Sequence, residues 1–410
     1  MLKASALYMV IIIALVIAVF SASLIATAYF YRLEYQKNMR FGRLQLNLNS
    51  AASILLSSAY VSTEEQRLDL FGEQTDSVVL KKDRWGLFAF GTAKAFTLND
   101  TLKKAFLIAE DTEKDQTAVY LSDEDRPLSV SGNTRITGDV QIPKAGIKQA
   151  YVEGKPYAGK ELVYGSIKNS TRTLPQLNQS MLDEIEKYLG DTLNNEVYVS
   201  DSLSNSFFNE PKVIRVSRSS PAITNTAITG RVIILCDTVL TIGPGAQLRD
   251  VLVYAPSIVV KEGFKGSGQL FARDSVVVEK KADFEYPSAI GILKKGEGGQ
   301  PKIELGSDCR LAGIIFTHEK KRSELQTVIS LGKNAVVKGE IYAAGFIKME
   351  KPVTVEGKVS CNRFIIQTPS TLYENYLIDI TINRNSRSAY YLSSPLFEHK
   401  APNQILRWLN

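Results

Sequence analysis

The 410-residue sequence predicts a mainly β protein with an N-terminal transmembrane and stalk helix, a small antiparallel β domain and a C-terminal parallel β-helix, or solenoid. Three observations carry this. No charged residue occurs between Lys3 and Arg32. After Ser58, short apolar segments alternate with charged turns. From Val232 onward, apolar strands recur about every 20 residues, a period typical of stacked repeats. The implied division is 1–58 transmembrane and stalk helix, 59–127 small antiparallel β domain, 128–223 solenoid-like strands with a helical insertion, and 224–410 parallel β-helix with a C-terminal cap.

The first element is the clearest. Ala6 to Phe30 is almost wholly apolar, and at about 1.5 Å per residue it spans a hydrocarbon core of roughly 30 Å. Tyr29 and Tyr31 stand where an interfacial aromatic belt falls. Two rival readings are a cleaved signal peptide, given the A-x-A triplet Ala26-Thr27-Ala28, and a buried soluble helix. Counting Lys3 before the segment against Arg32, Lys37, Arg40 and Arg43 after it points to a cytoplasmic C-terminal domain. Long domains, however, translocate largely regardless of flanking charge. Phe41, Leu44, Leu48, Ala51 and Leu55 form one apolar stripe, and no proline precedes Pro127. One helix from Ala6 to about Ser58 is expected.

The segment Lys3-Ala4-Ser5-Ala6-Leu7-Tyr8-Met9-Val10, with its amphipathic continuation, resembles type IV pilins and the pseudopilins of type II secretion. The resemblance covers the first fifty-odd residues. It implies a prepilin peptidase cutting between Ala4 and Ser5, and an extracytoplasmic C-terminal domain. Alanine replaces the usual glycine before the cut, and Met9 stands where the family carries glutamate.

In the middle of the chain, Ser77–Leu80, Trp85–Phe90, Phe106–Ala109 and Ala118–Leu121 read as a four-stranded antiparallel meander. Leu128 to Pro143 alternates apolar and polar residues with glycines at the corners, as a solenoid coil does. Leu174 to Leu189 is helical, with Leu177, Met181, Ile185 and Leu189 on one face and Gly190 as a stop. Strands then begin near Val232, Val251, Leu270, Ile290, Ile314, Ile341 and Val359. The wider later steps fit loop insertions at Lys294–Pro301 and His318–Leu325. Each unit adds a second strand, in which Val259, Val277 and Ile329 lie, and then a corner; the neighbours in those strands are apolar too, so the pattern alone does not fix which residues point inward. A small residue often follows the corner, at Ala246, Ala282, Cys309 and Ala335. Ile378–Ile382 and Tyr390–Leu392 are the expected end strands, with Trp408 and Leu409 capping the last coil. These coils, over Thr224 to Ile366, resemble bactofilins, which implies end-to-end polymerisation.

The chemistry-bearing residues point away from catalysis. Cys236, Cys309 and Cys361 are too few and too scattered for a disulfide framework or a structural zinc site, and are expected as buried free thiols. Asp237 and Asp274 end the first strands of two coils about 10 Å apart, with no third carboxylate, and read as corner residues. The two histidines, His318 and His399, lie in unrelated loops. The net charge of +6 is spread along the chain in pairs such as Lys294-Lys295 and Lys320-Lys321-Arg322, which read as solvated turns. The expectation is a non-enzyme without metal, cofactor or nucleic-acid partner; its partners are the lipid bilayer and proteins of an envelope assembly, or further copies of itself. The leading function is a pilus-like or secretion-filament component. The alternatives are a membrane-tethered bactofilin-like scaffold and a surface protein that binds or cleaves carbohydrate.

Overall fold

The computed structural model describes residues 2–60, 62–72, 76–97, 100–190, 202–296, 298–367, 371–398 and 401–409. The chain divides into two compact units, Met1–Lys82 with Gly91–Lys104, and Asp83–Phe90 with Ala105–Asn410.

In the first unit, helix α1 runs unbroken from Leu2 to Leu56, over 55 residues. Its apolar part, including Leu7, Ile11, Leu15, Val19, Leu24 and Ile25, is exposed throughout. The Thr27 hydroxyl donates to the Ser23 carbonyl (2.8 Å), so this polar side chain is satisfied within the helix. Farther along, Leu44, Leu48, Ala51 and Leu55 are buried as the stripe requires. Phe41 is not: it is 53% exposed, and the buried face begins one turn later. Asp76, itself buried, accepts from Arg43 Nε and from Asn47 Nδ2, both at 2.7 Å. Arg40 Nε donates to Asp100 (2.9 Å). Strand Gln66–Leu68 pairs antiparallel with residues 78–80.

The second unit is built on parallel pairing. Val232–Leu235, Val251–Val260, Gly268–Val278, Asp283–Lys294, Arg310–Glu319, Val336–Met349 and Val353–Gln367 follow one another, each hydrogen-bonded in parallel to the next. A second parallel series joins Val239–Ile242 to 257–260, 275–278, Lys302–Leu305, Val328–Leu331 and 346–349. Strands of both series belong to one closed sheet. The register aligns like residues: Ile214, Ile234, Val253, Leu270, Ile290, Ile315, Ile341 and Val359 are successive partners in one column. All eight are buried.

This column then returns to an earlier part of the chain. Val359 pairs with Val119, Val119 with Val140 and Val140 with Ile167. Strand Thr117–Leu121 is therefore parallel and central, not the fourth strand of an antiparallel meander. A meander would have left its Ala118, Val119 and Leu121 with one face in water; stacked on residues 359–361, they are fully buried. The run 128–142 forms three short parallel-paired strands, as its alternation suggests. The C-terminus also departs from expectation. Ile380–Asn383 is a strand in the parallel sheet, but residues 390–392 are not. Asn403–Leu409 pairs antiparallel with residues 105–110, where Trp408 meets Phe106 edge-on at 5.3 Å, and so does not cap the last coil.

The two strand series differ in what covers their outer face. Along 232–235 every residue is buried, because Ile233, Leu235, Leu252, Tyr254, Phe271, Ile314 and Phe316 form a second apolar cluster outside the sheet. Helix α2 (Gln179–Gly190) contributes Met181, Leu182 and Ile185 to it, with Leu177 from the preceding turn. In the second series the outer face is only half-covered. The inward residues there are Leu240, Ile258, Val276, Ile303, Ile329 and Ile347, all buried. Ile329 thus points in, whereas Val259 and Val277 are half-buried and point out. The small residues after the corners, Ala246, Ala282, Cys309 and Ala335, are all buried.

One corner excludes side chains. Gly313, Gly339 and Gly357 are register partners, and a Cβ on Gly339 (φ +141°) would come within 2.0 Å of the Gly313 carbonyl oxygen. Gly339→Ala is expected to cost about 2 kcal/mol or more, since both the conformation and the space disfavour it. Val276→Asp, which buries an unpaired charge, is expected to cost several kcal/mol, while Val277→Thr stays within about 0.5 kcal/mol. Denaturation midpoints of the full chain in detergent check all three.

Candidate functional site

Successive partners in the first strand series lie at a nearly even spacing along the chain, as Val253, Leu270 and Ile290 do, except at two consecutive places. Ala289 pairs with Ile314 and Ile314 with Glu340, and both steps are several residues longer than those before and after them. The surplus chain leaves the sheet as the loops after Lys294 and after His318. Because Lys294 and Glu319 are register partners, the two loops face each other across a cleft of about 690 Å³, lined by Lys294, Lys295, Glu319, Lys321, Arg322 and Ser323 among others.

The floor of this cleft is organised. Lys294 is 6% exposed, and its Nζ donates to Ser323 Oγ (2.7 Å) and to the Leu325 carbonyl (2.5 Å). Ser323 Oγ in turn donates to Glu319 Oε2 (3.3 Å), and the other Glu319 oxygen accepts from the Thr327 amide. Lys294 and Glu319 thus share one hydroxyl and hold the second loop in place. At the rim, Lys320 pairs with Glu186 of α2 (2.6 Å) and Arg322 with Glu124 (2.5 Å). His318 lies beside them with a buried Nε2 that has no hydrogen-bond partner, and burial holds its pKa below the usual imidazole range. It is therefore neutral at pH 7 and adds no charge to the cleft.

The residues singled out in the sequence do not converge. Ala4 and Ser5 both fall within α1, and Ser5 is exposed. Asp274 is exposed, and His399 lies outside the described residues. The three cysteines are buried and free, and Cys309 Sγ donates to the Glu279 carbonyl at 3.0 Å. Asp237 is more than a corner residue. It accepts from Arg215, a guanidinium only 4% exposed, and from Arg218 (2.9 Å). Burial raises its pKa, but the hydrogen bonds from Arg218 and Arg215 outweigh that and hold it below the usual carboxylate range. The lysines of the cleft look like ordinary turn charges, so residue type alone hides the site. Two successive over-long repeats are its legible signal.

A second polar centre lies under the C-terminal segment. Glu340, 3% exposed, accepts from Ser393 Oγ (2.7 Å) and faces Arg387 at 3.4 Å. Nearby Glu110 has a buried Oε2 with no hydrogen-bond partner; burial, then repulsion from Glu340, push its carboxyl up to about 7.

Comparison with protein-family models, curated proteins and solved structures gives no match.

Asp237→Asn is expected to cost about 1–3 kcal/mol by leaving Arg215 buried without its counter-charge, whereas Asp274→Asn is neutral. Urea titrations of the two variants distinguish them. Because the folded Glu110 carboxyl titrates about 7 against an ordinary 4.5, its favourable contribution is complete below pH 4.5. That contribution is lost as pH rises to and through 7. Glu110→Gln should therefore stabilise the chain by on the order of 1–2 kcal/mol at pH 8, allowing for solvent screening, and by little at pH 4.5. A variant with the wild-type pH profile would contradict this.

Proposed function

We propose that the chain is a single-pass, membrane-anchored structural or assembly protein that carries a parallel β-helix on the extracytoplasmic side, as a component of a pilus-like or secretion-like filament. The observation that carries the reading is α1, whose apolar run is exposed from Ser5 through Tyr31 and which continues without a break into the buried stripe Leu44, Leu48, Ala51 and Leu55. Such a helix delivers a folded unit to a membrane surface through a rigid connection. The parallel registers and in-line aliphatic columns of the second unit support the β-helix reading, since stacked coils bury what one coil alone cannot. The pilin-like start supports processing between Ala4 and Ser5.

A bactofilin-like scaffold would grow by strand pairing at the ends of the stack. At one end of the parallel series, the edge strands Ile147–Gln149 and Ile167–Asn169 carry Lys148 and Lys168. Lysines on an edge oppose such pairing, which favours the anchored, non-polymerising reading of this unit.

In fractionation, the full chain should remain with membranes through carbonate extraction, and a C-terminal reporter active only outside the cytoplasm should be active. The mature N-terminus should be Ser5, and Ala4→Asp should block maturation. A soluble product starting near Tyr29, or a reporter active only in the cytoplasm, would defeat the proposal.

A further inference from the structure

We infer that the cleft between the loops after Lys294 and His318 binds the phosphate of a small soluble phosphomonoester, of the size of a phosphorylated sugar or polyol. The argument begins with the two insertions. Extra residues in a stacked repeat do not help the stack, and insertions on one face of a repeat array commonly build a binding surface. Here they occur in consecutive coils and on one side, and they enclose about 690 Å³, within the range of small-molecule sites.

The electrostatics select the ligand. Among the described residues the cleft is lined by Lys294, Lys295, Lys320, Lys321 and Arg322 against Glu186, Glu319 and Glu324; with Arg322 paired to Glu124 outside the cleft, the balance stays positive by one. A phosphomonoester carries about −1.5 to −2 at pH 7 and three acceptor oxygens, which suits cationic donors left without an ion pair. Two of the carboxylates are already engaged: Glu186 by Lys320, and Glu319 by Ser323 and the Thr327 amide. Lys320 and Arg322 are spent in ion pairs, Lys320 with Glu186 and Arg322 with Glu124. Lys295 and Lys321 have no ion pair among the described residues and remain to meet an incoming anion. Lys294 has three N–H donors and uses two on Ser323 and Leu325, leaving one for the ligand. Its rigid placement sets the position of one oxygen before the ligand arrives.

The test uses the full chain in detergent micelles, titrated calorimetrically with glycerol 3-phosphate, with glucuronate as a monoanionic carboxylate of similar size. Saturable glycerol 3-phosphate binding is expected, at least about tenfold tighter than glucuronate and weakened at least about tenfold in Lys295→Gln/Lys321→Gln. Lys348→Gln, on another face, should bind as wild type, and all three proteins should melt alike. Absence of saturable binding, equal affinity for glucuronate, or unchanged binding in the double variant would each overturn the assignment.

Discussion

The structure depends on register. In parallel pairing each residue stacks on one partner above and one below, so a single column fixes the identity of every layer. The column from Ile214 through Val359 to Val119, Val140 and Ile167 contains only valine, leucine and isoleucine. A slip of one residue would turn these side chains out and bring their neighbours in. In the second series that slip would put Thr241, Glu304, Ser330 and Lys348 in the core, which the burial cost of polar groups forbids. The glycine corner reinforces the same register by sterics, because a Cβ at Gly313, Gly339 or Gly357 would meet the backbone of the preceding partner, Ser288, Gly313 or Gly339.

Closure through Val359 and Val119 changes what the order of the chain means. Residues 117–169 come early in the sequence but extend the parallel pairing beyond residues 359–361, which come late. Ten register steps of parallel pairing link Ile214 to Ile167. In the sequence, α2 lies between these two ends of the series. The apolar face of α2 covers the outer surface of the first strand series and so supplies part of the outer core.

The same geometry explains what could be read from the sequence. The period of the coils was legible because each one repeats one pattern of strand, corner and small residue, with Ala282, Cys309 and Ala335 in equivalent inward places. The inward set of the second strands was not, because Val259 and Val277 are as apolar as their buried neighbours and only stacking decides which face is which. The place of Ala118–Leu121 was hidden for a different reason: its parallel partner, residues 359–361, lies so far along the chain that it leaves no local mark. Phe41 failed because helical periodicity names a stripe but not where the opposing surface starts.

The candidate cleft follows from the tolerance of this architecture. A coil is held by its own strands and its two neighbours, so added residues at a corner leave the register of the strands beyond it unchanged. After the second long step the stack resumes its ordinary spacing with Ile341 on Val359, as if nothing had intervened. The inserted chain is thereby free of the demands of the core and can carry charge. What keeps it from collapsing into solvent is the hydroxyl of Ser323, shared by a buried lysine and a carboxylate. A loop with no role beyond linking two strands has no need of a buried cation, since its desolvation opposes folding. Lys294 directly follows Ala289, Ile290, Ile292 and Leu293, all buried and aliphatic. At the end of such a run its hydrogen bonds to Ser323 and to the Leu325 carbonyl constrain the shape of the cleft.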